Sequence, residues 1–225
     1  MSQVDLKEIE RQLESSNSKD RLLALAALKD VPAEKAVPLI KKVLYDEMLP
    51  VRSMAIFALG VKKTEESLPI LVSLLETDPD YGIRADAAGA LGYLNDIRAF
   101  EPLARAFYED TQWLVRFSAA VSLGNLGDIR AKNLLLEALR SEEPVLQQAA
   151  IAALGEIRAE DCLNDILEFV ASPDWLMRQR LAESLSNFPH NEKAISALQF
   201  LARDSHPQVA ETASYYLQLM KKSEA

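Results

Sequence analysis

Residues 110–128 read Asp110-Thr111-Gln112-Trp113-Leu114-Val115-Arg116-Phe117-Ser118-Ala119-Ala120-Val121-Ser122-Leu123-Gly124-Asn125-Leu126-Gly127-Asp128. Val115, Ala119 and Leu123 recur every four residues, the stripe that one face of an α-helix turns toward a core. The stretch is one copy of a repeat. With Arg116 as anchor, Arg21, Arg52, Arg84, Gln147, Arg178 and Ala210 take the same place at intervals of 31 or 32 residues. One residue before the anchor stand Val51, Ile83, Val115, Leu146, Met177 and Val209. Three after it stand Ala24, Ala55, Ala87, Ala119, Ala150, Leu181 and Ala213, and the seventh place is always leucine, from Leu28 to Leu217. Each period therefore holds one amphipathic helix with the same buried stripe. Four periods carry glycine at the eighth place, Gly60, Gly92, Gly124 and Gly155, where a left-handed cap is expected to end the helix.

A second apolar pattern begins about 15 residues after each anchor, as in Ala36-Val37-Pro38-Leu39-Ile40, Ser67-Leu68-Pro69-Ile70-Leu71, Ala99-Phe100-Glu101-Pro102-Leu103 and Ala131-Lys132-Asn133-Leu134-Leu135. It supplies the first helix of the next period. Pro50, Pro79, Pro144, Pro173 and Pro207 fall in turns before second helices, and Pro38, Pro69 and Pro102 in the early turns of first helices, where proline sacrifices few hydrogen bonds. About seven hairpins result, over residues 3–30, 33–61, 65–93, 97–125, 129–156, 160–187 and 191–222, with the last helix running into Lys221 and Lys222. So small a hairpin cannot bury its apolar face alone, so neighbours must stack on a shared core. The fold class that follows is all-α: a right-handed α-solenoid, an αα-superhelix forming a single domain over 1–225, with second helices lining the concave side. The last period, with Ala210 at the anchor, diverges because it lacks one neighbour.

Composition agrees and excludes alternatives. The seven glycines in 225 residues are too few for an all-β chain full of tight turns. The net charge of −9 repels phosphate backbones and anionic membranes, so nucleic acid and membrane insertion are not expected. No apolar run approaches the roughly 18 residues of a membrane span, and Met1-Ser2-Gln3-Val4-Asp5 lacks the basic start and apolar core of an export signal, which points to the cytoplasm. A lone cysteine, Cys162, excludes an internal disulfide framework and any multi-thiolate metal site.

The pairs Asp46/Arg52, Asp78/Arg84 and Asp110/Arg116, followed by Ala-Leu-Gly at 58–60 and 90–92, resemble HEAT repeats of the short variety over almost the whole chain. Within that superfamily, residues 110–128 and the stretch Ser172-Pro173-Asp174-Trp175-Leu176-Met177-Arg178-Gln179-Arg180-Leu181-Ala182-Glu183-Ser184-Leu185 resemble the cyanobacterial group of E/F-type phycobilin lyases and NblB-like phycobilisome-degradation proteins. That resemblance implies phycobiliprotein subunits as partners. It also implies lyase-like attachment or detachment of the bilin, or antenna disassembly, with no resident cofactor beyond transient phycocyanobilin. Lyases of this type work as two-chain pairs, so a single chain fits the degradation branch better. A different class of function is a noncatalytic scaffold for assembly or repair of another client, such as an iron–sulfur protein.

The residues themselves show no conventional enzyme. The recurring Asp46, Asp78, Asp110 and Asp204, the last without its own arginine, read as a ladder in which each carboxylate caps a helix and pairs with arginine, because chemistry needs one unique constellation and a repeated one serves stacking. Cys162 occupies the small-residue slot of Ser67, Ala99 and Ala131 and has no histidine in its turn, and His190 and His206 form no metal-ligand spacing. No catalytic and no metal residues are assigned. What remains is a surface. With the stripe buried, second helices should present Met54, Phe57, Asp86, Tyr93, Phe117, Val121, Gln148, Arg180, Glu183 and Tyr215, with Phe57, Tyr93, Phe117 and Val121 forming an exposed apolar patch and Arg180 and Glu183 a polar rim. Tyr81, Trp113 and Trp175 share the place three before the anchor. They form either an aromatic row on the groove edge, suited to a flat tetrapyrrole or a protein helix, or seals for their own turns.

Overall fold

The computed structural model describes residues 5–223, so the opening stretch Met1-Ser2-Gln3-Val4, read above for its lack of an export signal, lies outside the described residues, as does the start of the first hairpin at residue 3. Among the described residues fourteen α-helices form seven hairpins: α1 Leu6–Leu13 with α2 Ser18–Ala27, α3 Ala33–Lys41 with α4 Leu49–Val61, α5 Ser67–Thr77 with α6 Tyr81–Leu94, α7 Phe100–Glu109 with α8 Trp113–Asn125, α9 Lys132–Leu139 with α10 Pro144–Glu156, α11 Leu163–Leu167 with α12 Trp175–Leu185, and α13 Glu192–Leu201 with α14 Pro207–Ser223. The solenoid fold class and its seven hairpins follow the spacing read from the sequence. Nothing is described of the side chains of Lys222 and Ser223 in the last turn. The chain divides into two compact units, Met1–Ser122 and Leu123–Ala225.

The helix starts have local causes. Asp80 accepts from the N–H groups of Gly82 and Ile83, Asp174 from Leu176, and Asn191 from Lys193 and Ala194, which satisfies donors that the first turn leaves free. Pro50 and Pro144 sit in the first turns of α4 and α10, where their missing N–H costs nothing. Pro38 does not follow the expected early-turn placement: it is the sixth residue of α3, in the second turn.

In each unit the stripe read from the sequence is the core. The alanines three after the anchor, Ala24, Ala55, Ala87, Ala119, Ala150 and Ala213, are all 0% exposed, as is Leu181 in that column. The seventh-place leucines from Leu28 to Leu185 are likewise buried, each contributing on the order of 1.5–3 kcal/mol. Leu217, in the seventh hairpin, is only half-buried. The buried face is wider than the predicted stripe. Leu25, Ile56, Ala88, Ala120, Ile151 and Ala182, four after the anchor, are buried as well.

The eighth-place glycines are not caps. Gly60, Gly92, Gly124 and Gly155 lie inside their helices, while the positive-φ positions among the described residues are Asn95, Arg158 and Gly127. Their role is close approach. A Cβ on Gly60 would lie 2.6 Å from the carbonyl oxygen of Ala90, and one on Gly92 would lie 2.6 Å from Ser122 Oγ. Each glycine meets the residue six after the next anchor, and that column is small as well: Ala90, Ser122, Ala153 and Ser184. The two serines use their hydroxyls in the same joint, Ser122 donating to Ala88 O at 2.8 Å and Ser184 to Ile151 O at 2.6 Å.

The aspartate ladder is also wired differently from the local Asp-x5-Arg reading. Four of the five anchor arginines reach the aspartate of the following hairpin: Arg21 to Asp46 at 2.7 and 2.8 Å, Arg52 to Asp78, Arg84 to Asp110 at 2.7 and 3.0 Å, and Arg178 to Asp204 at 2.6 and 2.9 Å; the hairpin after Arg116 carries Ser141 in that column. Asp204, which has no arginine six residues later, is therefore fully paired. Within its own hairpin the arginine instead donates to a backbone carbonyl, Ser15 for Arg21, Asp78 for Arg84 and Ser172 for Arg178. The carboxylates do not cap helices in the strict sense; each accepts from the N–H two residues on, that of Met48, Asp80, Gln112 or His206, and so closes the turn before the second helix. Bidentate, largely buried pairing of this kind fixes one hairpin's turn against the next.

Candidate functional site

In the first unit, the outward face of the second helices is set by one variable column. Five after the anchor stand Ala26, Phe57, Gly89 and Val121. Phe57 is 51% exposed and meets Tyr93, itself 57% exposed, edge to face with ring centroids 5.5 Å apart. Such a pair holds two large rings in water in a fixed arrangement. Beside it, between α2 and α4, lies an apolar cleft of about 240 Å³ lined by Leu25, Ala26, Leu28, Met54, Phe57, Ala58 and Val61, with Lys29 and Lys62 at its margin. The cleft exists because the residue equivalent to Phe57 in the preceding hairpin is Ala26. On the other side of Phe57, a Cβ added to Gly89 would meet nothing within 4 Å.

The other expected residues divide by exposure. Tyr81 and Trp113 are the first residues of α6 and α8 and are about half exposed. Asp86, Phe117 and Val121 are half-buried, as is Met54, so the protruding aromatic group in this unit is Phe57 with Tyr93 and is narrower than the four-residue patch expected. The helical period had not singled out Leu23 and Val61, both exposed on α2 and α4. They lie two and nine places after their anchors, the columns that supplied Met54 and Tyr93, so extending those columns to every hairpin finds them.

In the second unit α10 and α12 carry no large apolar residue in these columns, whereas Tyr215 and Leu219 of α14 are exposed. Arg180 and Glu183 are half-buried and pair with each other at 2.5 Å one turn apart, which leaves them mutually neutralised. Gln148 is half-buried and Tyr215 exposed. Trp175 differs from Tyr81 and Trp113: its ring lies flat on His206, with centroids 4.2 Å apart and an interplanar angle of 9°, so this tryptophan packs across to the next hairpin's turn.

Cys162 is buried at the start of its first helix, in the slot that Ser67, Ala99 and Ala131 fill with equal burial. Burial, reinforced by the neighbouring Asp161 carboxylate, pushes its thiol up to about 11, so the nucleophilic thiolate is disfavoured at neutral pH. Among the described residues no three of His, Cys, Asp and Glu gather into a metal-binding group, and no helix is long and apolar enough to cross a membrane.

Tandem hairpins joined by buried arginine–aspartate pairs and small-residue crossings define the class: the chain belongs to the HEAT-repeat family, whose model matches residues 6–92, 71–146 and 133–218. Among solved structures it is similar to a chain of the CpcE–CpcF complex of phycocyanin lyase from Nostoc sp. PCC7120, with 21% identity over 98% of this chain and 96% of that one and a TM-score of 0.63. It is similar also to YibA of Escherichia coli, with 19% identity, 94% and 81% coverage and a TM-score of 0.64. A chain from the structure of Kap95p with RanGDP matches at 13% identity, with 94% of this chain and 34% of that one covered and a TM-score of 0.60. No curated protein matches by sequence. At these identities the likeness is one of fold.

Proposed function

We propose that this protein binds phycobiliprotein on the outward face of its second helices and assists phycobilisome degradation or the handling of the bilin chromophore. The observation that carries the reading is the exposed Phe57–Tyr93 pair beside an apolar cleft, a surface with the aromatic character of a protein-binding hot spot. The sequence resemblance to the lyase and NblB group and the fold likeness to the phycocyanin lyase complex support phycobiliprotein as the client. In this reading the protein acts by docking. Tyr81 and Trp113 extend the contact along the starts of α6 and α8, and Asp86, Phe117 and Val121 fill the space between. Trp175, Arg180 and Glu183 lie on the second unit, which carries its own second-helix face. Cys162, buried and protonated, is a packing residue and not an acceptor for the bilin.

The test mixes the purified chain with phycocyanin, scoring retention in a pull-down and the visible absorbance. Retention is expected, and replacing Phe57 and Phe117 by Ala should weaken it at least about fivefold with helicity unchanged. Bleaching or release of free bilin would add chromophore handling to docking, and an unchanged spectrum would indicate an adaptor. Failure to retain any biliprotein rejects the reading in favour of a scaffold for another client.

A further inference from the structure

We infer that the α2–α4–α6 face of the first unit receives an amphipathic helix of its partner, seating one large apolar side chain in the α2–α4 cleft while an acidic residue one turn along meets Lys29 and Lys62. The inference rests on the reading that this face docks protein, and it specifies the chemistry of what docks. Phe57 stands between Ala26 and Gly89 in the same column, a ring flanked by two positions that carry a methyl group or a hydrogen. A ridge between two hollows complements a helix, whose own side chains form ridges and grooves. The cleft of about 240 Å³ is smaller than the roughly 300–1,000 Å³ of small-molecule sites and has room for one large apolar side chain. Outside the cleft, Leu23 and Tyr93 leave further apolar surface in water, beyond what a ligand confined to the cleft would cover.

Charge selects the rest of the partner. The Lys62 ammonium donates to the carbonyls of Lys29 and Val31, both at 2.6 Å, which are neutral acceptors that hold the cation in place without cancelling it. Among the described residues no carboxylate pairs with Lys62 or Lys29, whereas Lys41 pairs with Glu66, and Lys42 with Glu10 and Glu14. In a protein of net charge −9, an unneutralised cation at the mouth of an apolar hollow favours a carboxylate next to an apolar anchor. On a helix, that is an acidic residue three or four places from a Leu, Met or Phe.

The test uses the full chain and a fluorescently labelled, alanine-rich peptide of about 18 residues carrying leucines on one face with glutamates one turn away, together with an isomer in which lysines replace the glutamates. The glutamate peptide should bind at least about tenfold tighter than the lysine isomer, and Lys29→Glu should reverse that preference. Ala26→Leu fills the cleft from an exposed helix position and should weaken binding about tenfold with helicity unchanged. Equal binding of the two isomers, undiminished binding to Ala26→Leu, or displacement of the peptide by decanoate from parent and Lys29→Glu chains alike overturns the inference. Peptide binding with these dependences, but no capture of phycocyanin by the parent chain, upholds the inference and rejects the biliprotein. Phycocyanin capture undiminished in both variants rejects the inference and keeps the biliprotein.

Discussion

The two units share a skeleton and differ in what they show to solvent. At the second, fifth and ninth places after the anchor, α4 and α6 of the first unit carry Met54 and Asp86, Phe57 and Gly89, and Val61 and Tyr93. At the same places α10 and α12 of the second unit, with the turn after α12, carry a buried Ala149 and Arg180, Ala152 and Glu183, and Glu156 and Asn187. Yet both contain the buried arginine–aspartate pair, the glycine-to-small-residue crossing and the leucine column. Stability is thus written in columns that recur through most hairpins, and recognition in columns whose residues change from one hairpin to the next.

The comparison breaks most severely at the ladder. Removing one partner strands a buried charge, so Asp78→Ala in the first unit and Asp204→Ala in the second should each cost about 3–5 kcal/mol in urea unfolding. A loss below about 1 kcal/mol in either unit would show that the ladder is not common to both. A smaller effect is expected at the crossings. Gly60→Ala and Gly155→Ala should each cost about 1–3 kcal/mol through forced separation of adjacent helices. Gly89→Ala, with open space around its Cβ, should stabilise by up to about 1 kcal/mol through helix propensity alone. Thermal unfolding of the three variants sharpens the distinction between glycine kept for packing and glycine tolerated on a recognition face.

The gentlest probe is acid. The Arg178 guanidinium holds the Asp204 carboxyl below its usual range; burial pushes that of Asp110 up, but Arg84 and the Gln112 N–H together leave it lowered. A carboxyl depressed in the folded state contributes its stability fully above the unfolded value of about 3.9 and loses it as pH falls through the folded value. One such group in each unit means that both should soften together below about pH 4. Hydrogen exchange that opened one unit well before the other in that window would contradict the shared ladder.

The hairpins were legible because their signals recur: a leucine at every seventh place is read seven times over. What escaped had a partner one period away. The local pair Asp78/Arg84 looked self-contained, yet Arg84 bonds Asp110 and Asp78 bonds Arg52. Gly92 looked like a helix end because a sequence shows its neighbours along the chain and not Ser122 across the crossing. The small sixth-place column Ala90, Ser122, Ala153 and Ser184 was the available signal for that contact. The face was harder still. Helical period placed Phe57 and Tyr93 outward, but the half-burial of Phe117 and Val121 and the hollow at Ala26 depend on side-chain sizes in adjacent hairpins.

The crossing joint also makes the hairpins interchangeable parts. A segment that brings a small residue for its predecessor's glycine and a glycine for its successor can be spliced in without disturbing either end. The joint changes at the seventh hairpin, where Tyr216 takes the small residue's place and Gln218 the glycine's. To lengthen the array there, an engineer must refashion that coupling first, whereas a hairpin exchanged between Gly60 and Ser184 can be chosen for its outward residues alone.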